Sequence, residues 1–422
     1  MNYNKYSNDN KNNNYNININ KQVNTIDNRH DLNPKTIIKK SKTIRGPSGD
    51  VRRKIKNFKG LLSNNNDKNN NFNFFLPIKA IHRESIPGII GLNHIIDNFY
   101  INSTLQCFSN LERLRQFLLK EETYKFLEEN KQNLKLSFAL AEVLRNLWKI
   151  VTHRFFSPDN FKKVISENNN LFKGISTNFP KDLIQFLLEN IHKELNNPNK
   201  KIINNHNFVN IQNFFEVYNN FMDDFNNKNK SIISEEFYGF YYCETTCGNC
   251  NFVIYNVELY NSLFFPLEEV RKFMNYNHNN VRINDCFEYY QKYEINSSFE
   301  CNYCGKDCQG YRQKRLIKTP KTLIINLNRG KGLQYNVKII FEEYLYLAKY
   351  ILDINSPSFY ELTGIICHYS TNDLGGNCIA FCKNSNNGEW YKYNDQSVTK
   401  SSFNEVKQSE FPYVLFYSYI KV

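Results

Sequence analysis

Helical periodicity in the first half of the chain and strand composition in the second predict an α+β fold for these 422 residues. Apolar residues recur at helical spacing across Phe99–Leu119, Leu134–Val151 and Asp182–Leu195. Beyond about residue 230 the texture changes to short runs of β-branched and aromatic residues. Nowhere do strands and helices alternate as a parallel βαβ sheet requires.

Residues 1 to about 80 are dominated by Asn, Lys and Asp, with runs such as NNNDKNNNFNF. They bury too little apolar surface to offset the entropy of ordering and are expected to form a disordered tail. The ordered texture starts at Pro87 with the three helical stretches. Asn-rich inserts at 62–73, 196–211 and 219–229 read as loops. The strand runs are FYGFYYC from Phe237, VIYNVELY from Val253, LIKTPKTLIINLNR from Leu316, YELTGIICHYS from Tyr360, NCIAFCK from Asn377, WYKYND from Trp390 and YVLFYSY from Tyr413. No internal repeat is present.

With 41% hydrophobic and 15% aromatic residues the chain can bury a sizeable core. Its longest apolar stretches, such as Phe264–Leu267, fall far short of the roughly 18 residues a membrane span needs. The first thirty residues lack the apolar run of a secretory signal, so cytoplasm or nucleus is the expected compartment. A formal net charge of +13 is concentrated in the stretch Lys35 to Lys59. No stacking pattern or nucleic-acid motif accompanies it, so it reads as a solvated basic tail, with targeting or nucleic-acid contact as the alternative.

Eleven cysteines in a reducing compartment point to metal rather than disulfides. Cys247 and Cys250 form CGNC, and Cys301 and Cys304 form CNYC, each in a turn between strand-forming segments. Four thiolates from two such knuckles supply the closed tetrahedral shell of one structural zinc ion, with no position left for a substrate. Cys243 and Cys308 lie nearby and are substitute ligands without a C-x-x-C partner; buried free thiols are the alternative to the whole site.

The segment GLNHIIDNFYINSTLQCFSNLERLRQFLL, Gly91 to Leu119, resembles the cysteine box of ubiquitin-specific proteases, whose usual form is G-L-x-N-x-G-N-T-C-Y-M-N-S-x-L-Q-x-L. Gly91, Leu92, Tyr100, Asn102, Ser103, Leu105 and Gln106 match without gaps. FPKDLIQFLLENIHKEL, with Asp182 and Phe186, is similar to the family's second box, the cysteine pairs to its fingers zinc, and LTGIICHYSTNDLGGNCIAFCKN with WYKYNDQSV to its histidine box. The resemblance covers about residues 85–420. It implies a papain-like cysteine protease fold, with a helical thumb at about 85–215, zinc-bearing fingers at about 232–318 and a β-rich palm at about 319–420.

The same resemblance exposes what is missing. The nucleophilic cysteine belongs at Phe99, and a phenyl ring cannot attack a carbonyl. The residue two before it, an Asn that the resemblance assigns to the oxyanion, is Asp97, which accepts hydrogen bonds when ionised and repels developing negative charge. The basic histidine belongs at Asn377, and a carboxamide does not titrate near neutral pH. The orienting position is Asn394, which the family tolerates. His368 matches a separate structural position and reads as a strand histidine. Cys107, two turns beyond Phe99, reads as a buried thiol, and Cys378 as a strand thiol with no evident histidine.

Three readings follow. The first is an inactive pseudo-deubiquitinase that binds ubiquitin or ubiquitinated proteins, or acts as a scaffold. The second is an active cysteine-type deubiquitinase with displaced catalytic residues. The third is a splicing scaffold with spliceosomal partners, because Asp and Tyr also flank the lost cysteine in the family's USP-like splicing branch. That branch's N-terminal ubiquitin-binding zinc finger is absent here.

Overall fold

The structure, a computed structural model, describes residues 86–94, 99–149, 154–173, 180–198, 214–330, 335–370, 376–409 and 411–421. The expected tail 1–80, its basic segment and Asp97 lie outside the described residues. After a two-residue strand β1 (Gly91–Leu92) come helices α1 (Phe99–Ser109), α2 (Glu112–Leu119), α3 (Glu121–Glu129) and α4 (Lys135–Trp148), strand β2 (Phe155–Phe156), and helices α5 (Asp159–Asn168), α6 (Pro180–Leu195), α7 (Phe214–Lys228) and α8 (Ile232–Phe237).

Helix α1 is poor in strong helix formers and is stabilised by its surroundings. Tyr100, Ile101, Leu105, Cys107 and Phe108 are buried, and so are Asn102, Ser103, Thr104, Gln106 and Ser109. The buried hydroxyls return to the helix's own carbonyls, as when Thr104 Oγ1 donates to Tyr100 O at 2.8 Å, which offsets the desolvation of those hydroxyls. The start of α4 is capped from outside. Glu194 of α6 accepts from the Leu136 and Ser137 amides at 3.0 and 2.7 Å, placing a carboxylate on the positive end of the helix.

The second half contributes β3 (Gly239–Cys247), β4 (Val253–Tyr260), β5 (Leu263–Pro266), α9 (Leu267–Phe273), β6 (Asn280–Arg282), α10 (Ile283–Tyr290), β7 (Tyr293–Glu300), β8 (Asp307–Lys318) and β9 (Thr322–Asn328). It ends with β10 (Lys338–Ile340), β11 (Tyr344–Tyr346), β12 (Phe359–Ser370), β13 (Gly376–Lys383), β14 (Trp390–Asn394), β15 (Ser397–Lys400), α11 (Phe403–Lys407) and β16 (Pro412–Tyr419). The large sheet runs β15-β14-β13-β12-β16-β9-β5, with β11 added beside β12, and the smaller one runs β4-β3-β8-β7.

Strand alternation puts the large sheet between two cores. Ile324, Ile366, Ala380, Val414 and Phe416 face the helices of the first half. Leu323, Ile325, Ile365, Phe381, Leu415 and Tyr417 face a second core closed by α9 and α10. The small sheet carries a third, with Phe240, Tyr242 and Ile317 beneath α7.

The α+β expectation stands, and one of its details is corrected. The helical stretch Phe99–Leu119 is built as two helices, and at their junction the Asn110 side chain donates to Gln106 O at 2.9 Å. The insert 219–229 is not a loop but most of α7. Phe214, Tyr218, Phe221, Met222 and Phe225 form a helical stripe on the small sheet, and intervening asparagines disguise it.

Candidate functional site

Helix α1 begins at Phe99, and its first two turns are lashed to segments far away in sequence. Asn102 Nδ2 donates to the Asn93 carbonyl at 2.9 Å and to Asp395 Oδ1 at 2.7 Å. Gln106 Nε2 donates to the Ile90 carbonyl at 2.9 Å. Asp395 occupies the two-residue turn between β14 and β15, at φ +50°, a left-handed conformation that Asp tolerates better than most residues. The Leu92 amide donates to the Asp395 carbonyl at 2.8 Å. A Cβ on Gly91 would sit 2.5 Å from the Gln396 carbonyl oxygen, so only glycine lets β1 approach this turn. The box residues Gly91, Asn102 and Gln106 therefore act together to fasten the entrance of α1, through β1, to the β14–β15 turn.

The same end of the molecule receives the other box positions. Asn377 is the second residue of β13, opposite Tyr369, and Asn394 is the exposed last residue of β14. Ser103, in the first turn of α1, contacts the thiol of Cys378, the neighbour of Asn377. The neighbours of Asn377 and Asn394 in the chain, Cys378 and Asp395, thus both meet the start of the helix that Phe99 begins.

Cys107 and Cys378, the two thiols considered as substitutes for the nucleophile, are sheltered. Cys107 is 1% exposed and lies 3.8 Å from Cys382 Sγ; burial, reinforced by that neighbour, pushes its thiol well up. Cys378 is 3% exposed and its thiol is pushed up by burial. The β12–β13 register places His368 directly opposite Cys378, a neighbour that the sequence did not show. His368 is half-buried against Tyr413, with ring centroids 5.7 Å apart, and burial lowers its pKa.

Sequence reading passed over one further histidine. His94 Nδ1 lies 2.8 Å from Asp395 Oδ2, and His94 is exposed. It stands at the first Asn of the family's box pattern, which was the available signal. Its carboxylate partner, 301 residues away, is visible only in the fold.

At the far end of the small sheet the two C-x-x-C pairs meet. The sulfurs of Cys247, Cys250, Cys301 and Cys304 all lie within 4.8 Å of one another. The two turns are near copies. Asn251 and Gly305 follow the second cysteine of each at φ +59° and +63°, and their amides return to Cys247 O and Cys301 O at 2.9 and 2.8 Å. The Asn249 and Cys250 amides donate to Cys247 Sγ at 3.4 and 3.5 Å, which favours a thiolate. Phe252 stacks on Tyr303 across the pair, with centroids 4.7 Å apart. The distances Cys250–Cys301 of 3.7 Å and Cys247–Cys304 of 4.0 Å match the roughly 3.8 Å edge of a tetrahedron of sulfurs about 2.3 Å from a central ion. The set could hold one metal ion. Of the substitute ligands, Cys308 touches Cys247 at 3.3 Å, whereas Cys243 pairs with Glu258 and Arg312.

The sequence profile of the ubiquitin carboxyl-terminal hydrolase family matches residues 90–417. Human ubiquitin carboxyl-terminal hydrolase 2 is 24% identical over 355 residues, which cover 80% of this chain and 56% of that protein. Ubiquitin carboxyl-terminal hydrolase 4 of Saccharomyces cerevisiae is 23% identical over 80% of this chain and 40% of its own. The chain thus spans 56% of the length of the first relative and 40% of the second. Among solved structures, a SAGA DUB module of Ubp8, Sgf11, Sus1 and Sgf73 bound to monoubiquitin superposes with a TM-score of 0.60 at 21% identity, covering 80% of this chain and 71% of that one. A ubiquitin-aldehyde complex of the same module gives 0.59 at 20% identity. Both likenesses show the fold.

Proposed function

The chain belongs to the ubiquitin carboxyl-terminal hydrolase family, and from that premise we propose that it is a pseudo-deubiquitinase, which keeps the fold to bind ubiquitin or to scaffold and does not cut. One observation carries the reading. The fastening of the α1 entrance through Gly91, Asn102 and Gln106 is complete, while the residues at the chemical positions are Phe99 and Asn377. Neither can supply a thiolate or take up a proton near neutral pH. Asp97 in place of an oxyanion donor adds a third loss, worth about 3 kcal/mol in a transition state. Asn394 stands at the orienting position, with Asn377 in place of the histidine it would orient.

In this reading the helices of about 85–215 are the thumb, the β4-β3-β8-β7 sheet within 232–318 the fingers and the sheet of 319–420 the palm. Cys247, Cys250, Cys301 and Cys304 hold one zinc ion whose contribution is structural, fastening the tip of the fingers. Ubiquitin is the proposed partner. Among the described residues no helix is long and apolar enough to cross a membrane. Calorimetric titration with ubiquitin, on the native chain and on Phe99→Ala, tests the reading. Saturable binding without turnover supports it, and recovery of spliceosomal proteins in place of ubiquitin would replace it with the scaffold reading.

The cross-strand pair His368 and Cys378 favours a second reading, a displaced thiol nucleophile. Its burial and raised thiol pKa weigh against it. Thiol-dependent turnover abolished by Cys378→Ser would establish it.

A further inference from the structure

Five thiols meet where a tetrahedral metal needs four, and we infer that the fifth, Cys308, makes the knuckle an oxidative modification site: a peroxide links Cys308 to Cys247 as a disulfide and expels the metal. The inference rests on the zinc reading above. It goes beyond that reading by giving the site a second covalent state.

The geometry separates Cys308 from the ligand set. It lies on β8, opposite Phe299 of β7, and the Gly248 amide donates to its neighbour Gln309 at 2.8 Å, which brings β8 against the first knuckle. A Cβ on Gly248 would be 2.7 Å from that carbonyl, so the approach depends on glycine. Cys308 Sγ then sits 3.3 Å from Cys247 Sγ, closer than Cys304 Sγ at 4.0 Å and shorter than the roughly 3.8 Å sulfur–sulfur edge of a zinc tetrahedron. Two sulfurs so close are in van der Waals contact outside a shared tetrahedron, and a disulfide needs them to close to about 2.05 Å. Cys308 is half-buried, as are Cys250 and Cys304, and Cys247 is fully buried, so of the close pair Cys308 is the thiol a small oxidant reaches. Cys243 offers no such partner, being held by Glu258 and Arg312 on the same sheet.

The chemistry balances with hydrogen peroxide as oxidant. The Cys308 thiol gives an electron pair to one peroxide oxygen, forming a sulfenic acid and releasing water. The Cys247 thiolate then attacks the sulfenic sulfur. The S–S bond forms as the S–O bond breaks, and the departing hydroxide takes a proton from solvent to leave as a second water. Two thiol sulfurs are oxidised by two electrons and one peroxide is reduced to two waters. The metal is left with three thiolates, and a dithiol reductant reverses the change.

The test uses the full chain with its metal content measured first. Native protein and Cys308→Ser are exposed to hydrogen peroxide, released zinc is read with a chromogenic chelator, and non-reduced proteolytic digests are mapped by mass spectrometry. The expected result is a Cys247–Cys308 linked peptide and zinc release in the native chain, with the peptide lost and zinc retained in Cys308→Ser at the same exposure. Equal release from the variant, or a linkage confined to the C-x-x-C pairs, overturns the inference. Failure of Cys308→Ser to bind metal, confirmed with Cys308→Ala, also overturns it, by making Cys308 a ligand. A native chain that carries no zinc yet forms the linked peptide would refute the metal reading alone.

Discussion

The entrance of α1 and the tip of the small sheet have fared differently. At the tip, frame and chemistry survive together: twin turns, left-handed residues after each pair and all four sulfurs within 4.8 Å. At the α1 entrance the frame is complete, with Asn102 and Gln106 holding the Asn93 and Ile90 carbonyls, and the proposed reading is that the frame alone is kept there. Frame residues are fixed by what they stabilise, whereas a nucleophile and a base contribute little to folding. On the proposed reading, a chain kept for binding would retain the former and could lose the latter.

The largest way to disturb this comparison is at the tip. Cys301→Ser, or chelation of the native chain, should remove the metal and lower the melting temperature by roughly 10 °C, with hydrogen exchange rising across 239–260 and 293–318. The α1 entrance should respond to frame changes on a smaller scale. Gly91→Ala drives a methyl into the Gln396 carbonyl and should cost about 1–3 kcal/mol in chemical denaturation. Asn102→Ala strands Asp395 Oδ1 and the Asn93 carbonyl and should cost about 2 kcal/mol.

A weaker effect is expected with pH. Burial holds His192 and His368 below the ordinary imidazole value of 6.5, so the unfolded chain takes up protons first on acidification. Their contribution is fully present above about pH 6.5 and is lost as the pH falls from there toward the folded-state values, which denaturation at pH 7.5 and 5.5 should register. His192 makes its neutral-state bonds to Ser231 Oγ and Asn229 Oδ1 at 2.7 and 3.1 Å, and His192→Gln should flatten the dependence. The smallest expected change is none. Phe99→Cys alone should remain silent, because Asn377 cannot accept its proton; turnover in that variant would mean that His94, held by Asp395, or His368 serves as base.

Much of this was legible in the sequence because local patterns carried it. The helix-then-strand order, the strands VIYNVELY and NCIAFCK, and the four knuckle cysteines emerge where composition and spacing place them. What was hidden depended on contacts distant in sequence or on dilution of a pattern. The stripe of α7 was masked by asparagines that face away from the small sheet. The pairing of His368 with Cys378 required the β12–β13 register, and that of His94 with Asp395 required a turn 301 residues downstream. Contact between Cys308 and Cys247 likewise arises from the β3–β8 register and a glycine that admits it.

The central claim, a frame kept without its chemistry, is tested most directly by incubating the native full chain with a fluorogenic amide at the ubiquitin C-terminus, with and without prior thiol alkylation. The expected result is no release above background in either arm. Release by the untreated chain that alkylation abolishes would contradict the account.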